Sequence, residues 1–202
     1  MKPQLYIDQK ITAFVNKYSV FAADQAGNKA QLAAFAQQKR LAFKEKVLCY
    51  TDEQKTSPVF SFRAEKVLDV HGRYFIEDPA GQLLGMLRKE FGKSLVSSSW
   101  IVMDANGNDV FRVKESNTTL AILRRYIGVI PYLGDILEII ILFFRYHFIF
   151  IDMASNIEVG KYRKVTLFRD HYTLDMTDDA YRRLDWRVLA AMGIALDALQ
   201  SR

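Results

Sequence analysis

Few side chains in this sequence stand at the spacings that chemistry needs. The histidines, His71, His147 and His171, are scattered, and none belongs to a His-Glu-x-x-His pair or a His/Cys set able to hold zinc. No glycine-rich phosphate loop follows an apolar run. Cys49 is the single cysteine; it has no local partner to activate it and reads as a small apolar filler. His147, between Tyr146 and Phe148, reads as a packed or interfacial histidine. Asp104-Ala105-Asn106-Gly107-Asn108 with Glu115 imitates a calcium loop at its first, third, fifth and twelfth positions, yet Asp109 stands at the sixth, where an EF-hand needs glycine. Asp175, Asp178 and Asp179 cluster ahead of the last apolar segment, where a loop and the electropositive start of a helix account for them. The expectation is a protein that is not an enzyme and holds no metal and no cofactor.

What the sequence does offer is positive charge. Lys and Arg number 28 against 23 Asp and Glu, a formal net charge of +5. Many of these cations fall where extended runs end: Arg88, Lys89 and Lys93; Arg112 and Lys114; Lys161, Arg163, Lys164 and Arg169. With Arg124 and Arg125, the first eight of these form the candidate ligand-binding set, able to gather on one rim and hold phosphate groups or anionic lipid headgroups. Nucleic acid is not an expected partner, because aromatic residues do not interleave with these cations and no recognition helix is visible.

The elements that must position them come from an internal repeat. Tyr18-Ser19-Val20-Phe21 leads to Asp24 and Gly27. Tyr74-Phe75-Ile76-Glu77 leads to Asp78-Pro79-Ala80-Gly81, and Trp100-Ile101-Val102-Met103 to Asp104-Ala105-Asn106-Gly107. Phe148-Ile149-Phe150-Ile151-Asp152, closed by Ser155-Asn156, is a looser copy. An alternating apolar run, then Asp-x-x-Gly, then a second run, predicts β-hairpins, with Asn106-Gly107 read as a type I′ turn. Leu5–Phe14 reads as a first strand and Leu41–Tyr50 and Val59–Arg63 as later ones, with Lys66–Val70 extended. Ala-rich 29–38 has high helix propensity, but its place after Asp24-x-x-Gly27 predicts a returning strand.

Asp185–Leu199 differs from all of these: it has no turn signal and is apolar almost all round, so it predicts a buried helix. At about 1.5 Å per residue it is too short for the ~30 Å core of a bilayer. Leu120–Ile151 is also greasy, but Arg124, Arg125, Asp135, Glu138 and Arg145 interrupt any membrane span. It reads either as buried strands or as an amphipathic excursion lying in a membrane interface beside Arg124 and Arg125. Ile136–Phe144 within it could meet a protein partner or a second copy of the chain.

A length of 202 residues at 50% hydrophobic composition fits one domain, 1–202, with an apolar insertion at about 120–145. The predicted fold is mainly β: a closed antiparallel β-barrel around a central hydrophobic C-terminal helix. A single cysteine and the opening Met1-Lys2-Pro3-Gln4, without an apolar signal core, predict a cytoplasmic protein.

The hairpins, Gly85-Met86-Leu87-Arg88-Lys89, Ser99-Trp100-Ile101-Val102-Met103-Asp104 and Leu184-Asp185-Trp186-Arg187-Val188-Leu189-Ala190-Ala191 together resemble the LURP-one-related group, which is allied with tubby C-terminal domains and phospholipid scramblases. The likeness runs from about Leu41 to the end. It implies a barrel of about twelve strands. It also implies a non-enzymatic tubby-like module that binds anionic phospholipid or phosphorylated ligands through a basic rim, peripheral at a membrane. A scramblase-like membrane protein and a protein-interaction or oligomerisation scaffold are the alternatives. The chain lacks the proline-rich tail and cysteine cluster of scramblases.

Overall fold

The computed structural model describes residues 3–12, 15–39, 46–65, 72–91, 98–116, 147–166 and 170–200. The insertion at about 120–145, including Ile136–Phe144, and the extended run Lys66–Val70 lie outside them. In chain order the described elements are β1 (Gln4–Ile11), β2 (Val15–Ala23), β3 (Lys29–Lys39), β4 (Val47–Tyr50), β5 (Pro58–Ala64), β6 (Arg73–Glu77), β7 (Leu83–Phe91), β8 (Ser98–Asp104), β9 (Asp109–Glu115), β10 (Phe148–Asp152), β11 (Glu158–Lys164), β12 (Asp170–Met176), α1 (Asp178–Arg183) and α2 (Trp186–Gln200). Each strand pairs antiparallel with the next, and β1 pairs with β12, so the described strands close into a twelve-stranded barrel. Closure leaves the wall without a free edge.

One turn chemistry builds one end of the barrel. Asp24, Asp52, Asp78 and Asp104 each accept the backbone N–H four residues on, from Asn28 (2.8 Å), Thr56 (3.2 Å), Gln82 (2.8 Å) and Asn108 (2.8 Å). Asp152 accepts from the Ser155 N–H at 2.9 Å. Such Asx contacts fix the chain reversal locally. The reversal ends on a left-handed residue: Gly27 at φ 88°, Gly81 at 84°, Gly107 at 86°, and, without glycine, Lys55 at 62° and Asn156 at 57°. The Asp52–Lys55 turn is thus a further copy of the repeat, hidden because lysine replaces glycine. Asn106-Gly107 is not the expected type I′ turn, since only Gly107 has positive φ. A three-residue loop closed by a left-handed glycine and a bulge fits the register shift after Val102.

Ala-rich β3 is a strand, as the repeat predicts, because Ala34 and Ala36 stand opposite Val20 and Tyr18 and share their buried face. Tertiary pairing overrides helix propensity there. The acidic cluster divides: Asp175 belongs to β12, while Asp178 and Asp179 occupy the first turn of α1, capped by the Thr177 side chain.

Helix α2 fills the barrel. Every side chain from Val188 to Leu196 is buried, against inward residues such as Ile7, Val20, Leu87, Trp100, Val102, Phe111, Phe150 and Leu174. Each large apolar chain so enclosed contributes about 1.5–3 kcal/mol. A Cβ on Gly85 of β7 would lie 2.9 Å from Val188 Cγ2, and one on Gly193 of α2 2.3 Å from Ile7 Cδ1. Glycine on the wall in one place and on the helix in the other lets α2 press against β7 and β1. Among the described residues no helix is long and apolar enough to cross a membrane.

Candidate functional site

Strand alternation, with period two, decides where the candidate cations point. Arg88 lies opposite Arg73 and Ile101, and Ile101 opposite Arg112, so the three arginines share one row on the outer wall of β6–β9. At about 4.8 Å per strand the row spans roughly 14 Å. Lys114 stands one row further along, beside Ser99 and Ile149. Lys161 faces Ile149 and Asp175, and Arg163 faces Thr173. Lys89 and Lys164 are on the opposite face: they share the inward rows of Trp100 and Tyr172. The described cations therefore do not share one face, because neighbours in sequence fall on opposite sides of the wall. Lys93, Arg124, Arg125 and Arg169 lie outside the described residues.

Carboxylates interleave with this wall. Arg88 meets Asp109 at 2.9 Å, Arg112 Glu90 at 3.4 Å, Lys161 Glu158 at 3.1 Å and Arg163 Asp175 at 2.9 Å. Exposed pairs of this kind are worth about 0–1 kcal/mol each and yield readily to a competing anion. Beside the arginine row Met86, Ile101 and Met103 form a second buried cluster on the outside of the barrel, packed with Phe75, Leu83 and Met153. Arg63 stacks over Phe75, its guanidinium 5.1 Å from the ring centroid. Arg73, exposed at the start of β6, is missing from the sequence-derived set. Counting back across the Asp78–Gly81 hairpin would have placed it opposite Arg88.

Inside the mouth at the end of α2, Asp197 is buried and accepts the Tyr172 hydroxyl at 2.6 Å and the Tyr18 hydroxyl at 3.1 Å. Burial pushes its carboxyl up to about 6, against the lowering effect of the two tyrosines. Lys164 pairs with Asp170 at 2.7 Å on the same side. His147 Nε2 lies 3.4 Å from the Lys164 carbonyl, and burial draws its pKa down, in keeping with a packed histidine. Cys49 is fully buried, which raises its thiol pKa strongly. His171 Nδ1 sits 2.7 Å from Asp8 Oδ1 on the outer wall, and Asp8 also pairs with Lys29. In the ladder Asp8 stands between Ser19 and His171. A Ser–His–Asp relay needs the histidine in the middle, so this order does not build one. Asp104 is consumed by its own turn, accepting from Asn106, Asn108 and the Asn108 side chain.

A closed antiparallel barrel with a buried C-terminal helix is the architecture of the tubby-like superfamily. Within it, this chain belongs to the LURP-one-related family, whose family model matches residues 32–197. No curated protein sequence matches the chain.

Proposed function

We infer that this protein is a non-enzymatic, tubby-like module that docks on anionic phospholipid headgroups through the outer wall of β6–β9. The observation that carries this reading is the in-register row Arg73, Arg88, Arg112. Arg73 and Arg88 stand directly opposite each other, where like charges destabilise a sheet, Asp109 offsets only part of that charge, and an anion bound across the row relieves the rest. The net charge of +5 draws the molecule to anionic surfaces in the same sense. The reading entails peripheral attachment at a cytoplasmic leaflet, where anionic lipids concentrate and each nearby cation contributes about 1 kcal/mol.

Sedimentation with phosphatidylcholine vesicles, with and without phosphatidylserine or a phosphoinositide, tests it. Pelleting should require the anionic lipid, weaken with salt, and fall about fivefold for Arg73→Gln and again for Arg112→Gln. Equal and negligible pelleting on both vesicle types would remove the reading.

A further inference from the structure

The helix does not fill the barrel evenly. At the end where the Asp turns cluster, Val188 is pressed on Gly85 of β7. Across from it, β1, β2 and β3 carry Leu5, Ala22 and Ala33, and a cavity of about 510 Å³ opens among Leu5, Ala22, Leu32, Val59, Tyr181 and Trp186. Trp186 forms one side of it, held edge-on against Phe60 with ring centroids 6.1 Å apart. The space cannot close by a shift of α2 alone, because Gly193 already sets the helix against Ile7 of β1 further along.

The lining is specific in its polarity. Among the described residues, the side chains with polar atoms at the cavity are Gln31, Thr51, Tyr181 and Trp186 with its indole N–H, and no carboxylate, amine or guanidinium lines it. Burial and the charge of Asp185 hold the Tyr181 hydroxyl above its usual pKa, so it stays a donor. A mainly apolar cavity of several hundred Å³ with a few polar groups is the usual form of a small-molecule site. Among the described residues the nearest charges are already engaged, Arg187 with Asp185 and Asp52 with its own turn, so a charged headgroup would find no free counterion and its desolvation would go uncompensated. We propose that this cavity binds an uncharged, largely apolar small molecule, such as a single alkyl chain with a hydroxyl end or an aromatic amine, oriented by Gln31, Thr51 and Tyr181. The site is separate from the arginine wall and does not depend on the lipid-docking reading.

The test uses N-phenyl-1-naphthylamine, an uncharged fluorophore, titrated into the full chain with excitation of tryptophan. Saturable binding of one probe per chain is expected, with energy transfer from tryptophan that falls when Trp186, and not Trp100, is replaced by phenylalanine. Dodecanol should displace the probe, and dodecanoate at pH 8 should do so at least tenfold less well. Ala22→Phe and Ala33→Phe each place a ring in the cavity and should weaken the probe tenfold or more. Anionic-vesicle pelleting of whichever variant keeps the wild-type circular dichroism should be unchanged. Unsaturable binding, equal affinity in a folded cavity-filled variant, or equal displacement by dodecanoate and dodecanol would overturn the proposal.

Discussion

The Tyr172 hydroxyl donates to the Asp197 carboxylate at 2.6 Å, tying the last turns of the enclosed helix to the strand that closes the barrel. Tyr18 of β2 completes the pair of donors at 3.1 Å. The interaction holds a potential charge deep in an apolar interior, where it is costly unless neutralised or bonded.

A pH dependence follows from that burial. With the folded-state value near 6 and an unfolded aspartate near about 3.9, the folded protein holds the extra proton between roughly pH 4 and 6. The contribution of Asp197 is greatest below about pH 4, declines as pH rises to about 6 and then levels off. Asp170 acts to raise the value and Lys164 to lower it. His147, held below its usual value by burial, acts in the opposite sense over the same range, so the comparison is between variants. In urea denaturation from pH 4 to 7 the stability of the parent relative to Asp197→Asn should decline by on the order of 2–3 kcal/mol. A variant with the same slope as the parent would refute the assignment.

At the other end of the barrel, Asp152 bonds Ser155 and takes the Arg183 guanidinium at 2.5 Å, which together hold its carboxyl down at about 2. Arg183 also stacks on Phe111, 5.3 Å from the ring centroid, so it clamps α1 to the wall. Arg183→Ala should cost about 1–3 kcal/mol in denaturant unfolding, since it strips a buried acceptor of a charged donor. The contribution of Asp152 is present above about pH 4 and lost as pH falls toward 2, opposite in sign to that of Asp197. Acid titration of the two variants separates the effects.

The two close approaches of α2 should respond differently to a methyl group. On Gly85 a Cβ meets the Met103 carbonyl at 2.7 Å, which is backbone and cannot step aside. Gly85→Ala should cost about 1–3 kcal/mol. On Gly193 the obstacle is the free end of the Ile7 side chain, and alanine favours the helix by about 1 kcal/mol. Thermal melts should therefore show Gly193→Ala much milder than Gly85→Ala, and Ile7→Val should make the Gly193 substitution milder still.

Lys55 occupies a left-handed position that its sister turns give to glycine. Lys55→Gly should stabilise by up to about 1 kcal/mol, the relief of φ exceeding the entropy that glycine adds to the unfolded chain. Gly107→Ala should destabilise by about 1–2 kcal/mol at the equivalent place. Guanidinium melts of the two variants read both signs.

These particulars also show what a sequence can and cannot carry. The Asp-x-x-Gly phrase announced the hairpins because it specifies a backbone reversal in four adjacent residues, and the apolar run at Asp185–Leu199 announced the buried helix by lacking any polar face. Lys55 escaped because the repeat was recognised by glycine, although the aspartate does the bonding. The arginine row was half legible. Composition found Arg88 and Arg112, but their sharing a face with Arg73 depends on register, and the same register turned Lys89 and Lys164 inward. Asp197 was missed because Tyr18 lies 179 residues away in the chain, and only the closed barrel brings β2 and β12 to the same carboxylate.

The wall of this barrel is assembled from ladders between consecutive strands, save for the seam that joins Leu5 of β1 to Leu174 of β12. Zippering of neighbours lays down most of it cheaply, whereas the seam requires distant parts of the chain to meet around an inserted helix. Once shut, the ring acts as its own lock. The amides in the enclosed middle of α2, residues 189–196, can reach solvent deuterium only when a ladder parts, so their exchange reports the opening of the whole structure and not local fraying.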